Sequence, residues 1–497
     1  MNKKHLESYR FYIVFLFLSL LITGKSFAQI TGSLFMLPNN FYAQMYNPAY
    51  MRTDEAIEIS IAGLGGFSFM NQGSFKISDL IATPSGSPVI DPVNFYENIN
   101  TNNFIRQDLA VPMVFFSVPL KNGRFSFYYK ENVGSLLKFK KSVIEFLVNG
   151  NLEPGYQNFN TDAMKVLTAG YREFAFGYAK KKNKKLDIGM HAKLLFGAAL
   201  LNADDWNFGI ETASDGGVIH FISGGKGHLM LPVSIRLRAD STIFSIEGEK
   251  VLSKYIKSYN NPGFAIDLGA TYQLDKKSKI SVSIRDLGLI LYNDKSLTLR
   301  GTGNYNYIGF DLVHAVRWPE EPGYTNPSVL IDVVKDSIRN IWHPKAVEKS
   351  FAFGLGPKTV LHYQRDFSDL LSLGVTNQTT FQKNNFRNAL SLTAMQSWLN
   401  LSVFENVNLY GINSVSVGGG IQYEGNFAQV FLATDNLFAF YHPANNKTFS
   451  ITAGVCILLN HQKEIDPDKI TKKGIKKRKG KISPDLPYYK HLRSLKN

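Results

Sequence analysis

The stretch "GFAIDLGATYQLDKKSKISVSIRDLG", residues 263–288, alternates between two unlike faces. Phe264, Ile266, Leu268, Ala270, Tyr272 and Leu274 take one parity, and Ala265, Asp267, Gly269, Thr271 and Gln273 take the other. After a lysine-rich turn, Ile280, Val282 and Ile284 resume the apolar parity against Ser281, Ser283 and Arg285. A period of two on both sides of a short polar turn is a β-hairpin with one apolar and one polar face. In a soluble sandwich the apolar face meets a second sheet, whereas in an outer-membrane barrel it meets lipid and the polar face lines the lumen.

The rest of the chain favours lipid. "DLAVPMVFFSVPL" and "RFSFYYKENVG" flank Asn122-Gly123, and "YREFAFGYAK" and "LDIGMHAKLLFGAAL" flank Lys181–Lys185. Further pairs surround "QKNN" and Gly425-Asn426, and "KTFSITAGVCILLN" reads as the last strand. Four long connections, near 70–106, 135–169, 200–262 and 293–349, break the rhythm. Within them Ser142 and Glu145 form a capping box before "FLV", with Asn149-Gly150 as the stop, and Asn326-Pro327 opens a second helix. Short turns at one end and long loops at the other are the asymmetry of an outer-membrane barrel. The count is about 14 strands, an even number that closes a ring. Phe264 and Tyr272 are eight residues apart. That is roughly 26 Å along a strand, or ~20 Å of height at a tilt of ~40°, close to an apolar band with an aromatic at each rim. The fold class expected is all-β: a transmembrane antiparallel β-barrel with short helices in its loops.

Composition agrees. One pattern runs from residue 57 to 459 without a hinge-like shift, with 40 glycines and 13% aromatics. The single cysteine, Cys456, excludes intrachain disulfides. Residues 1–28 have a basic start (Lys3, Lys4, Arg10), the apolar run "FYIVFLFLSLLITG" and small residues at Ser26 and Ala28, the plan of a signal peptide. The net charge of +15 is uneven: +3 lies in 1–28, +8 in 461–497 and +4 in the whole body between. The body is therefore no polyanion-binding domain, and no nucleic-acid partner is expected. The basic tail 461–497 is expected in the periplasm, solvated or bound to a cell-envelope partner such as anionic headgroups or peptidoglycan carboxylates. Lipid of the outer membrane of a Gram-negative cell is the expected surrounding, with both termini periplasmic.

Between the leader and the first strand lies "MYNPAYMRTDEAIEISIAGLGGFSF". Asn47 suits a helix N-cap and Pro48 a first helical residue, so a short helix is expected there. This Asn47-Pro48-Ala49 resembles the motif after the N-terminal hatch in long-chain fatty-acid transporter (FadL-type) barrels and in the related PorV-type barrels of type IX secretion. Residues 263–288 and 428–455 look like an uncharacterised Bacteroidetes outer-membrane barrel family of the same layout. The resemblance implies a hatch over 29–56 ahead of a barrel over 57–460, and Tyr50, three residues after the expected Asn47 cap, is expected to point into the lumen where FadL-type relatives have Gly. It also implies one of two roles: gated passage of a small or amphipathic solute, or a non-conducting scaffold of a secretion or gliding complex.

Signatures of chemistry are sparse. The chain has no His-Glu-x-x-His, no Gly-x-Ser-x-Gly and no P-loop, and "GLGGFS" at Gly63 lacks the third glycine of a dinucleotide loop. No catalytic residue, metal site or cofactor is expected. His191 and Lys193 fall on the inward parity of their strand, and His191 reads as a lumen-filling side chain. Pairing the quoted hairpin about residue 277 sets Gly269 opposite Arg285 and Asp267 diagonal to it. Asp267 and Arg285 are then either a polar gate that contacts a solute or a structural pair that neutralises inward charge.

Overall fold

The computed structural model describes residues 32–461, except 53, 62–64, 83–88, 150–163, 213–218, 231–233, 238–243, 248–254, 256, 308–344, 383–384 and 411–413. The leader, the helix expected after Asn326 and the basic tail lie outside the described residues.

Fourteen antiparallel strands close into one ring. They are β1 (Ile57–Ser60 and Phe67–Gly73), β2 (Asn102–Leu120), β3 (Gly123–Lys140), β4 (Met164–Lys181), β5 (Leu186–Thr212), β6 (Pro262–Gln273) and β7 (Ser278–Tyr292). There follow β8 (Phe351–Gly354 and Lys358–Asp366), β9 (Leu371–Gln382), β10 (Asn385–Trp398), β11 (Leu401–Tyr410), β12 (Ser414–Glu424), β13 (Ala428–Thr434) and β14 (Thr448–Leu459). Each pairs with its neighbours in sequence, and β1 pairs with both β2 and β14, so no edge is left. Short turns gather at one end and the four long connections at the other. There β5 runs on past its pairing with β6 and continues through Ile219–Met230, Ser296–Tyr307 and Lys345–Glu348 as a sheet beyond the ring.

The quoted hairpin shows which face is which. Phe264, Leu268 and Tyr272 are 40–49% exposed on the outside, while Ala265 and Asp267 are 0% exposed inside. Outward apolar side chains recur around the wall, including Leu194, Leu289, Leu373, Leu392 and Leu432. A closed ladder with this outer belt is the structure that satisfies every backbone donor and acceptor within lipid.

Two local expectations change. The hairpin turns about residue 276, because Leu274 and Asp275 both donate to the Ser278 carbonyl at 2.9 and 3.3 Å. Gly269 therefore faces Ser283, not Arg285. The helix after β3 runs Lys141–Asn149. Lys141 N–H still donates to the Thr101 carbonyl at 2.9 Å, so the ladder passes straight into the helix and Ser142 lies in its first turn rather than at its cap.

The faces predict a ranking. Leu268→Arg should cost about 2–4 kcal/mol near mid-bilayer. Thr271→Arg should cost less, because Thr271 lines an internal cavity. Urea unfolding in detergent, followed by the gel mobility of the folded barrel, should return that order.

Candidate functional site

The lumen is built from two things: a segment of the N-terminus and a layer of charge. Residues Leu34–Leu37, Phe41, Tyr42, Met45 and Tyr46 form one apolar cluster with Phe115, Tyr128, Val360, Met395, Phe404, Phe431, Cys456 and Leu458. Those wall residues belong to β2, β3, β8, β10, β11, β13 and β14, so the segment lies inside the ring. After a 3-10 turn at Gly32–Phe35 it makes one α-helical turn, Phe41–Gln44, where the Asn40 side chain accepts from Ala43 N–H at 3.0 Å.

The expected helix at Asn47 is absent. Asn47-Pro48-Ala49-Tyr50 is a turn: Asn47 Oδ1 accepts from Ala49 N–H at 2.9 Å, and the Asn47 carbonyl accepts from Tyr50 N–H at 2.9 Å. The side-chain bond to the second residue on competes with helix initiation and closes the chain into an Asx-turn. The wall makes room for this turn. Gly189 and Gly269 face each other across β5 and β6. A Cβ on Gly189 would fall 2.2 Å from the Pro48 carbonyl oxygen, and one on Gly269 would fall 2.1 Å from Asn47 Oδ1. Tyr50 packs at the cluster's margin, edge-on to Phe35 with ring centroids 5.4 Å apart.

Above this segment sits the charge. Lys193, 1% exposed, reaches Asp267 at 2.7 Å, Asp286 at 2.8 Å and Glu173 at 2.9 Å. Lys130 meets Glu173 at 3.1 Å and Lys358 meets Asp286 at 2.9 Å. His191 Nδ1 lies 3.3 Å from Asp267, and Tyr128 donates to Glu173 at 2.8 Å. The structure thus brings Asp267, His191 and Lys193 together. Arg285 does not pair with Asp267: its guanidinium stacks 4.2 Å over the Tyr46 ring of the inner segment, and its Nε has no hydrogen-bond partner. The cause is a bulge between the Ile266–Leu287 and Leu268–Ile284 pairs. Asp286 there takes a positive φ of 59°, and its N–H donates to Asp267 Oδ1 at 2.8 Å. Two consecutive residues, Arg285 and Asp286, are therefore both buried inside.

Glu173, Asp286, Lys130 and Lys358 escaped the sequence reading. One signal for Asp286 was present: the apolar parity steps by three from Ile284 to Leu287, which requires an extra residue in the strand.

Between this layer and the long connections lies a cavity of about 130 Å³. Arg106, Lys130, Arg285, Lys358 and Arg387 line it together with Leu136, Leu167, Tyr171, Phe353 and Leu355. Beyond is a second apolar cluster that includes Leu195, Ala265, Ile290 and Tyr292.

A third group closes the short-turn end. Arg52 bonds Asp54 and Glu424, both at 2.8 Å, and His461 Nδ1 lies 3.1 Å from Asp54. Burial alone would raise the Asp54 carboxyl, but the hydrogen bond and charge of Arg52 outweigh it and hold the group below its ordinary value. Asp54, Glu424 and His461 have donor atoms close enough for a metal ion, yet Arg52 already supplies the positive charge between the two carboxylates.

These features define a transmembrane β-barrel whose lumen is filled by its own N-terminal segment and a desolvated ionic layer. The chain belongs to a family of unknown function (DUF5723), whose model matches residues 48–435. No curated protein matches it. Among solved structures it is similar to the toluene transporter TbuX of Ralstonia pickettii, at 10% identity and a TM-score of 0.37 over 88% of this chain and 95% of that one. It is similar to a FadL homologue of Pseudomonas aeruginosa, at 10% identity and 0.37 over 88% and 98%. It is also similar to the toluene transporter TodX of Pseudomonas putida, at 8% identity and 0.32 over 88% and 95%. The fold itself rests on the strand pairing.

Lys193→Met leaves three buried carboxylates short of a cation and should cost roughly 3–5 kcal/mol. His191→Gln keeps a polar group beside Asp267 and should cost far less. Adding Asp267→Asn to Lys193→Met should recover part of the loss, which a double-mutant cycle in chemical denaturation measures.

Proposed function

We propose that the protein is a gated passage in the outer membrane for a small or amphipathic solute, with the inner segment as its plug. The observation that carries this reading is how the segment is fastened. Among the described residues, its hydrogen bonds to the wall each use at least one side chain. Gln429 Oε1 accepts from Phe41 N–H at 3.1 Å, and Gln429 Nε2 donates to the Asn39 carbonyl at 3.0 Å. Gln422 Nε2 donates to the Pro38 carbonyl at 2.7 Å, and Ser283 Oγ donates to the Tyr46 carbonyl at 3.0 Å. The ring closes through its own ladder, so the segment can leave without breaking one strand pair. The cavity above it is lined by charged side chains of both signs, including Arg387, Arg285 and Asp108, and by apolar ones, including Leu136, Leu167 and Phe353, which suits a solute with a polar head and an apolar body. The scaffold reading rests on the basic tail, whose residues 462–497 lie outside the described residues, and on the long connections, part of which extends the sheet beyond the ring.

Deleting residues 29–50 should raise single-channel conductance in planar bilayers severalfold while the barrel keeps its heat-modifiable gel mobility. Gly269→Val, which drives a side chain into Asn47, should give a smaller rise in the same assay. A folded truncation that conducts no better than the full chain overturns the plug.

A further inference from the structure

The two ends of the inner segment treat charge differently. In the layer above it, each buried lysine has a carboxylate within 2.7–3.1 Å. Below it, at the short-turn end, lies a cavity of about 350 Å³ lined by Arg52, Lys181, Lys184, Lys185 and Lys279. The lining carboxylate set against these five cations is that of Asp187.

Arg52 is engaged with Asp54 and Glu424. Among the described residues, none of the four lysines has a carboxylate within ion-pair distance. Lys181, Lys184 and Lys185 are exposed around a hairpin turn, and water alone accounts for them. Lys279 is different. It is half-buried, with its ammonium 5.6 Å from the centre of the Tyr50 ring. The acids that act on it are Asp366 and Asp187. Asp366 already accepts from Gln364 at 3.0 Å and from Ser372 at 2.7 Å. Tyr50 lines the same cavity, and its buried hydroxyl makes no hydrogen bond, although the Ser281 side chain lies beside it. A buried donor left unpaired is costly, and a buried cation without a counter-charge more so.

We infer that this cavity is a binding site for a small multivalent anion of the phosphate type, held by Lys279 and the Tyr50 hydroxyl and steered inward by Lys181, Lys184 and Lys185. An anion with two or more charges suits one half-buried lysine set behind three exposed ones, and the lysine ammonium is a point-charge partner for phosphate. The space is that of a small-ligand pocket. The same chemistry is offered by a free phosphate and by the phosphomonoester headgroup of a lipid.

Inorganic pyrophosphate titrated calorimetrically into the full chain in a neutral detergent should show one saturable site. Lys279→Gln should weaken it about ten-fold, while Lys121→Gln, at another short turn, should leave it unchanged. Tyr50→Phe removes a hydroxyl alone and should weaken binding by a few fold, so the test survives if Lys279→Gln fails to fold. Repeating the titration in micelles doped with phosphatidic acid, a phosphomonoester lipid, separates the sources: loss of pyrophosphate binding assigns the site to a lipid headgroup, and retention assigns it to a free phosphate. Absence of saturable binding, or equal loss in Lys279→Gln and Lys121→Gln, overturns the site.

Discussion

Every other feature depends on the closing of the backbone ladder between β14 and β1. A strand edge in lipid has no water to satisfy it, so the ring must be complete. The joint is made by a strand in two pieces, broken between Ser60 and Phe67. Gly66 allows the break: its φ is 92°, and a Cβ there would fall 1.9 Å from the Ala453 carbonyl oxygen. Once the ring is shut, each strand has an inside and an outside, and alternation along the chain becomes a division between lumen and lipid.

That division explains why the interior is layered. The inside parity must fill a tube, and the chain fills it with an apolar cluster around the inner segment, an ionic layer and a second apolar cluster. The ionic layer sits where β3, β4, β5, β6, β7 and β8 turn charged residues inward at similar height. Burying Lys193 is expensive on its own, and three carboxylates at under 3 Å offset that cost. The net gain in stability from such a cluster is small. Its larger effect is on geometry, because removing any one member leaves the others unpaired, which favours a single arrangement of six strands.

Much of this was legible in the sequence, and the remainder was hidden for identifiable reasons. The wall was legible because lipid on one side and a filled lumen on the other impose a period of two on each strand, and because Asn122-Gly123 and Lys181–Lys185 mark turns. The number of strands and the positions of the long connections followed from that. The turn of the quoted hairpin was placed one residue too late, which shifts its pairing by two and keeps the faces, since "LDKKSK" contains several positions able to turn. The partners of Lys193 were illegible because Glu173, 20 residues back, meets it through the register of the β4–β5 pair, and Asp286, 93 residues on, comes from the next strand but one and is turned inward by the bulge. The inner segment was misread locally. Asn40 and Asn47 are both good caps by type, and the packing of Phe41 against Phe115 and Phe431 decides that the helical turn follows Asn40.

The bulge at Arg285–Asp286 has a consequence for how the gene can change. In a strand with two unlike faces, gaining or losing one residue turns everything beyond it inside out. β7 already contains one such extra residue, absorbed where Asp286 adopts the left-handed backbone that aspartate tolerates. Losing that codon would leave Arg285 as the one inward residue between Ile284 and Leu287, so the two faces would run through unbroken and Leu287, Leu289 and Leu291 would stay toward the lipid. A residue lost elsewhere in β7 has no bulge to absorb it and would send the outer side chains beyond it into the lumen. The bulge is therefore the one place in this strand where the gene should tolerate the loss of a single codon without exchanging inside for outside.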